Sequence, residues 1–261
     1  MAETGDDRTV LWNQMTAETL RQKADDGALV LLPVASTEQH GPHLATGVDT
    51  ILCADVCRRT AHKVATERPI VVAPTVWMGL AEHHVAFGGT FTVSLTTWHA
   101  LLRDLCQAIL RAGFEKILIV NGHGGNMAAL NTLTTELTRE LGAPIATTTY
   151  FIPATQAGLV APLLEDQEGV IHACEAETSM MMVAAPDLVD ETRLADAHGP
   201  QPSMGEVLSP ALQRWRSFKD ITLTGVLGDA RRSTPEKGEK LLETVSQTLA
   251  ETLIAGQPWD R

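Results

Sequence analysis

Ser36-Thr37-Glu38-Gln39-His40-Gly41-Pro42-His43-Leu44, followed by Asp49, gathers two carboxylates and two imidazoles into one short stretch. It comes directly after the apolar run Leu29-Val30-Leu31-Leu32-Pro33-Val34, where a buried strand should end. Ionised carboxylates beside an apolar core are costly unless positive charge meets them. Glu, His and Asp are ligands that Zn²⁺ or Mn²⁺ accepts. The stretch therefore reads as half of a metal site.

Three further polar clusters follow apolar runs. Asn121-Gly122-His123-Gly124-Gly125-Asn126 succeeds Ile117-Leu118-Ile119-Val120. Its glycines let the backbone bend sharply and bring His123 to a strand tip, and they leave N–H groups to face an anion or oxyanion. His172 and Glu177 stand five residues apart across a loop-to-helix transition, so they can converge on one point. Gly79-Leu80-Ala81-Glu82-His83-His84 precedes the turn Phe87-Gly88-Gly89-Thr90. Each cluster has a plainer reading: Asp49 as a helix cap, the glycine loop as a tight turn, Glu175 and Glu177 as solvated charges in a first helical turn. Together those readings lose force, because carboxylates and imidazoles recur at several strand ends.

The elements that must position these residues alternate. Strands are expected at Leu29 to Val34, Pro69 to Pro74, Ile117 to Val120 and Pro144 to Phe151. Helices are expected at Asp49 to Thr66, Thr97 to Ala112, Met127 to Leu141, Glu175 to Ala185 and Glu236 to Ile254. Thr234 should cap the last helix, with Pro235 at its first position. Buried, non-alternating strands between helices imply an α/β fold with a mostly parallel sheet covered on both faces. Ligands of such sheets lie at the carboxyl ends of the strands, where every cluster falls. The region from Ala195 to Gly228, with Pro200, Pro202 and Pro210, reads as an extended excursion within a single domain over residues 1–261.

Composition narrows the partners. The net charge of −12 repels phosphate backbones and no basic run is present, so nucleic acid is not an expected partner. No stretch has the roughly 18 unbroken apolar residues of a membrane span. The polar, acidic N-terminus is unlike a secretory signal, which makes the cytoplasm the expected location. Cys53, Cys57, Cys106 and Cys174 suggest neither a disulfide framework nor a zinc ribbon and read as buried thiols.

The motifs resemble, in order, those of the creatininase (creatinine amidohydrolase) family. The resemblance runs from residues 36–44 with Asp49, through Glu82-His83 with Phe87-Gly88-Gly89-Thr90 and the 121–126 loop. It continues with His172-Ala173 to Glu177-Thr178-Ser179 and ends with Gly225-Val226-Leu227-Gly228-Asp229. It implies a three-layer α/β/α sandwich, a homo-oligomer (often a hexamer) and two divalent ions, Zn²⁺ or Mn²⁺, with Fe²⁺ also suited to the ligand set. It further implies that Glu38, Asp49 and His123 hold one metal, that His40 and Asp49 hold the second with Asp49 bridging, and that His172 moves the proton. Creatininase has a glutamate where this chain has Gly125, which leaves Glu177 as the carboxylate to complete the second site. Creatininase also has ring-holding tryptophans between its third and fourth motifs, whereas this chain has Tyr150 and Phe151 there, so its substrate is expected to differ from creatinine.

The reaction expected is hydrolysis of a non-peptide C–N bond in a small linear or cyclic amide. Paired metals would hold a bridging water and lower its pKa toward about 7. Backbone N–H groups near Gly124 and Gly125 would stabilise the oxyanion, and His172 would protonate the leaving nitrogen as general acid. Glu82 and His83 are expected to orient ligands or line the pocket, whose mouth should draw on Trp77 to His84, Tyr150 to Gly169 and the excursion. Two rivals share the site: a metal-dependent phosphoesterase, disfavoured by the lack of Arg or Lys in the motifs, and a non-catalytic scaffold around a structural ion.

Overall fold

Leu29–Val34 (β1), Ile70–Val72 (β2), Lys116–Asn121 (β3) and Ile145–Thr149 (β4) form one parallel sheet in the order β2-β1-β3-β4. The structure is a computed structural model and describes residues 6–208 and 211–259. Of the single domain expected over 1–261, the remaining residues, Pro210 of the excursion among them, lie outside the described ones.

Eight helices are described: α1 (Ala17–Asp25), α2 (Val48–Val64), α3 (Leu95–Arg111), α4 (Met127–Leu141), α5 (Ile152–Gln156), α6 (Glu175–Ala184), α7 (Met204–Leu208) and α8 (Pro235–Ile254). The pleat divides β1 and β3 between two cores. Leu31, Leu118 and Val120 pack with Leu52 and Val56 of α2, Met180 of α6 and Leu241 and Val245 of α8. Val30, Leu32, Ile117 and Ile119 pack with Trp98 and Leu102 of α3 and Leu130 and Leu137 of α4. Both faces are therefore dry, which is why β1 and β3 are apolar without alternation. The result is a helix–sheet–helix sandwich.

Register then determines where chemistry can gather. Val34 pairs with Asn121 at the carboxyl ends of β1 and β3. The segments carrying Glu38 and His123 consequently leave the sheet from adjacent tips.

Several boundaries differ from expectation. The strand expected over Pro69 to Pro74 is only Ile70–Val72, and the one expected to reach Phe151 ends at Thr149, with Tyr150 and Phe151 leading into α5. Helix α1 was not expected, because it is largely polar, with Leu20 its one large apolar residue, and buries no residue outright. The cap of α8 is as expected: the Thr234 side chain accepts from the Lys237 N–H, and Pro235 opens the helix. The excursion returns to the body through Leu227 N–H to His172 O (3.0 Å), and Gly199 N–H to Gly228 O (2.9 Å) ties its two ends together. No described helix is long and apolar enough to cross a membrane.

Candidate metal centre

The loop after β1 folds back on itself, with the Glu38 N–H donating to Thr46 O at 2.9 Å, so Glu38 and His40 turn toward the start of α2. Asp49 lies in the first turn of that helix, buried, and is not its cap; Gly47 holds the cap position. Gly122 lets β3 exit tightly against α2, since a Cβ there would lie 2.7 Å from Cys53 Cβ and 2.8 Å from Asp49 O. Asn121 clamps the loop that follows, donating to His123 O (2.7 Å) and accepting from the His123 N–H (3.1 Å). Asn126 donates to Asn121 Oδ1 and accepts from the Leu80 N–H. The two asparagines thus hold the loop while the glycines shape it.

Glu177 comes from the first turn of α6. One of its oxygens accepts a short hydrogen bond from the Ala173 N–H. Ala173 has φ of 51°, a left-handed conformation that aims this N–H at the carboxylate.

These segments converge. His123 Nδ1 lies 3.1 Å from Glu38 Oε2 and 3.1 Å from Asp49 Oδ2. His40 Nε2 lies 3.1 Å from Asp49 Oδ1 and 3.9 Å from Glu177 Oε2. Two triads result, Glu38–Asp49–His123 and His40–Asp49–Glu177, each with its ligand atoms within 4.8 Å of one another. Glu38, His40 and His172 form a third such group.

The donor set fits divalent cations. Glu38 Oε2, His40 Nε2 and Asp49 Oδ2 are buried and make no hydrogen bond of proper geometry. His40 Nδ1 lies 3.1 Å from Glu38 O, and His123 Nε2 lies 3.3 Å from Leu80 O. A carbonyl only accepts, so each ring's N–H points away from the site and its other nitrogen points into it. That is the usual arrangement of metal-binding imidazoles.

The field in the site also favours positive charge. Burial opposes protonation of His40, yet Asp49, Glu177 and Glu38 outweigh it and raise the imidazole to about 9. His123 is held well above its ordinary range against the same burial, chiefly by Glu38. Burial raises Glu177 to about 7, partly offset by His40. Three carboxylates share this hollow, and each gains from a cation there.

His172 borders the cluster, its Nδ1 3.6 Å from Glu38 Oε1 and its Nε2 2.9 Å from Gln39 O. Burial, reinforced by His40 and His84, keeps its pKa well below the ordinary value. His83 lines the cavity and stacks on His123 with ring centroids 5.6 Å apart. Gly124 and Gly125 line it as well. A Cβ at Gly125 would run into the His123 ring and lie 2.6 Å from Leu80 O, so no side chain fits there.

Glu82 is not brought to the site: it is exposed and lines no part of the cavity. It opens a 3₁₀ turn, Glu82–Phe87, whose tight winding sends neighbouring side chains in different directions. His84, the third residue of that turn, enters instead. Nothing in the sequence spacing distinguishes it from His83. Glu175 is not solvated; it is buried and paired with Lys237 Nζ at 2.6 Å, which ties α6 to α8.

Above the cluster is a cavity of about 250 Å³ walled by Phe151, Val170, Ile171, Val207, Phe218 and Leu227. Of the stretches expected at the mouth, the turn contributes His83 and His84, the segment after β4 contributes Phe151, and the excursion contributes Val207, Phe218 and Leu227. Tyr150 is buried in the core, and Trp77 is exposed in edge contact with Phe91. No Lys or Arg is among the described residues that line the cavity.

Comparison with known proteins agrees with this architecture. The chain is 30% identical over 246 residues to the mycofactocin precursor peptide peptidase of Mycolicibacterium smegmatis, covering 92% of this chain and 90% of the relative. A crystal structure of creatinine amidohydrolase (creatininase) superposes with TM-score 0.82 at 23% identity, covering 96% of this chain and 99% of that one. A glutamate-to-glutamine mutant creatininase of Zn-Zn type superposes with TM-score 0.77 at 26% identity, covering 96% and 99%. The family model for creatininase, creatinine amidohydrolase, matches residues 13–253, nearly the whole length, and this chain is a member of that family of hydrolases.

Proposed function

We propose that the chain is a single-domain, dinuclear-metal-dependent amidohydrolase cleaving a non-peptide C–N bond in a small linear or cyclic amide. The observation that carries this reading is Asp49, whose two carboxylate oxygens face two different ligand groups. Glu38, Asp49 and His123 would hold one cation and His40, Asp49 and Glu177 the other. Zn²⁺ is supported by the Zn-Zn creatininase to which the chain is similar; Mn²⁺ and Fe²⁺ suit the same donors. Bound cations supply Lewis acidity toward the amide carbonyl and make water nucleophilic near neutral pH.

The chain's own residues do the rest. His172 gives its Nε2–H to Gln39 O, so Nδ1 is the atom that takes and returns the proton as the leaving nitrogen departs. The low pKa of His172 keeps Nδ1 free to accept first. Gly124 and Gly125 line the cavity, and their backbone N–H groups would stabilise the oxyanion. Apolar walls exclude bulk water, and the lack of a lining Lys or Arg disfavours an anionic substrate. The same lack argues against a phosphoesterase, and the cavity above the ligands argues against a closed structural site.

Likeness to a precursor peptide peptidase favours a second reading, in which the amide is a peptide bond. Screening metal-loaded protein against creatinine, formamides, small lactams and short peptides separates the two. Turnover of generic phosphodiesters without turnover of any amide overturns both. A homo-oligomer, hexameric by family resemblance and acting in the cytoplasm, completes the proposal; light scattering tests the assembly and fractionation tests the location.

A further inference from the structure

Behind Glu38 lie two buried side chains that the scheme above leaves unused as side chains, Gln39 and His84. The Gln39 amide nitrogen is 3.0 Å from Gly225 O, 2.9 Å from His84 Nδ1 and 3.0 Å from His172 Nε2. An amide nitrogen has two hydrogens. Its orientation is determined by its oxygen, which accepts the Gly41 N–H at 2.9 Å. One hydrogen goes to Gly225 O, which only accepts. His172 Nε2 already spends its own proton on Gln39 O and so cannot accept a second. The remaining amide hydrogen must go to His84 Nδ1.

An imidazole that accepts at Nδ1 carries its proton at Nε2 when neutral. That Nε2 stands 3.3 Å from Glu38 Oε1. One oxygen of Glu38 therefore has the protonated edge of His84 beside it, while the other, Oε2, has no hydrogen-bond partner and lies 3.1 Å from His123 Nδ1. The His84 ring cannot swing away, being stacked on His172 (4.5 Å between centroids) and covered by Phe218 (4.1 Å). Gly225 completes the arrangement. It has φ of +83°, and a Cβ there would strike the Gln39 amide, so a residue otherwise outside the chemistry leaves the room that amide needs.

We propose that Gln39 and His84 are positioning residues: the amide sets the His84 tautomer, and His84 aims the free oxygen of Glu38 at the metal. This inference rests on the two-metal reading given above. A buried histidine that merely filled space would need its volume and not its proton.

The test is zinc affinity of the full-length protein, measured by chelator competition, with isotope-labelled histidine NMR of the zinc-loaded wild type. His84→Ala and His84→Phe should each weaken zinc binding by about 10–100-fold, as loss of a ligand's supporting partner does. His84→Gln, which restores an N–H near the position of Nε2, should recover most of that loss. Gln39→Glu should weaken binding like His84→Ala, because a carboxylate draws the His84 proton to Nδ1. The NMR spectrum should show the His84 proton on Nε2. Wild-type zinc affinity retained in His84→Phe or Gln39→Glu, or a proton found on Nδ1, overturns the relay while leaving the metal centre standing. A wild type that binds no zinc overturns the metal centre and the relay together.

Discussion

Asp49 stands between His40 and His123, 3.1 Å from each, and meets them with different oxygens. Helix α2 supplies only this one side chain to the site, yet it is the only ligand common to the two triads of the proposed pair. Other ligands belong to one triad; Asp49 belongs to both.

Replacing Asp49 with Ala should therefore remove both ions in one step. The loss of metal affinity should exceed the roughly 10–100-fold that a supporting partner costs, and hydrolysis should disappear with the metal. Metal analysis after gel filtration checks this. One ion retained at full occupancy would show that Asp49 serves a single site.

His172→Ala should leave metal content unchanged and lower kcat by about 10²–10⁴-fold, the usual contribution of a proton-transferring group. Parallel metal and rate measurements separate the effects. Loss of metal in this variant would move His172 from proton carrier to ligand, alongside Glu38 and His40 in the third group of potential ligands.

The stabilisation conferred by metal should grow with pH. His40 has its pKa raised from 6.5 to about 9 in the folded chain, so its proton stabilises the fold fully below 6.5 and that gain is lost as pH rises through about 9. Glu177 is raised from 4.5 to about 7, so its ionisation costs stability progressively across that interval. Both make the metal-free chain weaker toward alkaline pH. A cation replaces those protons and requires deprotonated ligands. The Tm difference between zinc-loaded and chelator-treated protein should therefore widen between about pH 6 and about pH 9; a constant or shrinking difference contradicts the assignment.

Gly125→Ala should destabilise the fold by about 1–3 kcal/mol through overpacking against His123 and Leu80. At this chain length each kcal/mol corresponds to a Tm decrease of about 2–4 °C. Gly125→Glu should be worse and should not create a working ligand. An active Gly125→Glu protein would show that the loop opens more readily than its packing implies.

Most of the sheet was legible because a strand buried on both faces carries its signal in every residue, as Leu31 to Val34 and Ile117 to Val120 do. Which strands are neighbours was not legible; the pairing of β1 with β3, and with it the convergence of Glu38 and His123, is seen only in the folded sheet. Helix α1 was not legible, since it rests on the body through partly buried Leu20 and Ala24 alone. The roles of His84 and Glu82 were not legible for a different reason. The direction of a side chain in a 3₁₀ turn depends on how that turn is docked, and the docking involves Phe218, which lies far along the chain. The excursion reaches the mouth as expected, but which of its residues do so was not legible, because Val207, Phe218 and Leu227 form the wall only once the excursion has folded back onto His172.

Anomalous diffraction from a crystal of the wild-type protein grown with zinc tests the central claim most directly. The account predicts two peaks flanking Asp49, one against Glu38 and His123 and the other against His40 and Glu177. A single peak, or none with these side chains turned apart, would contradict it.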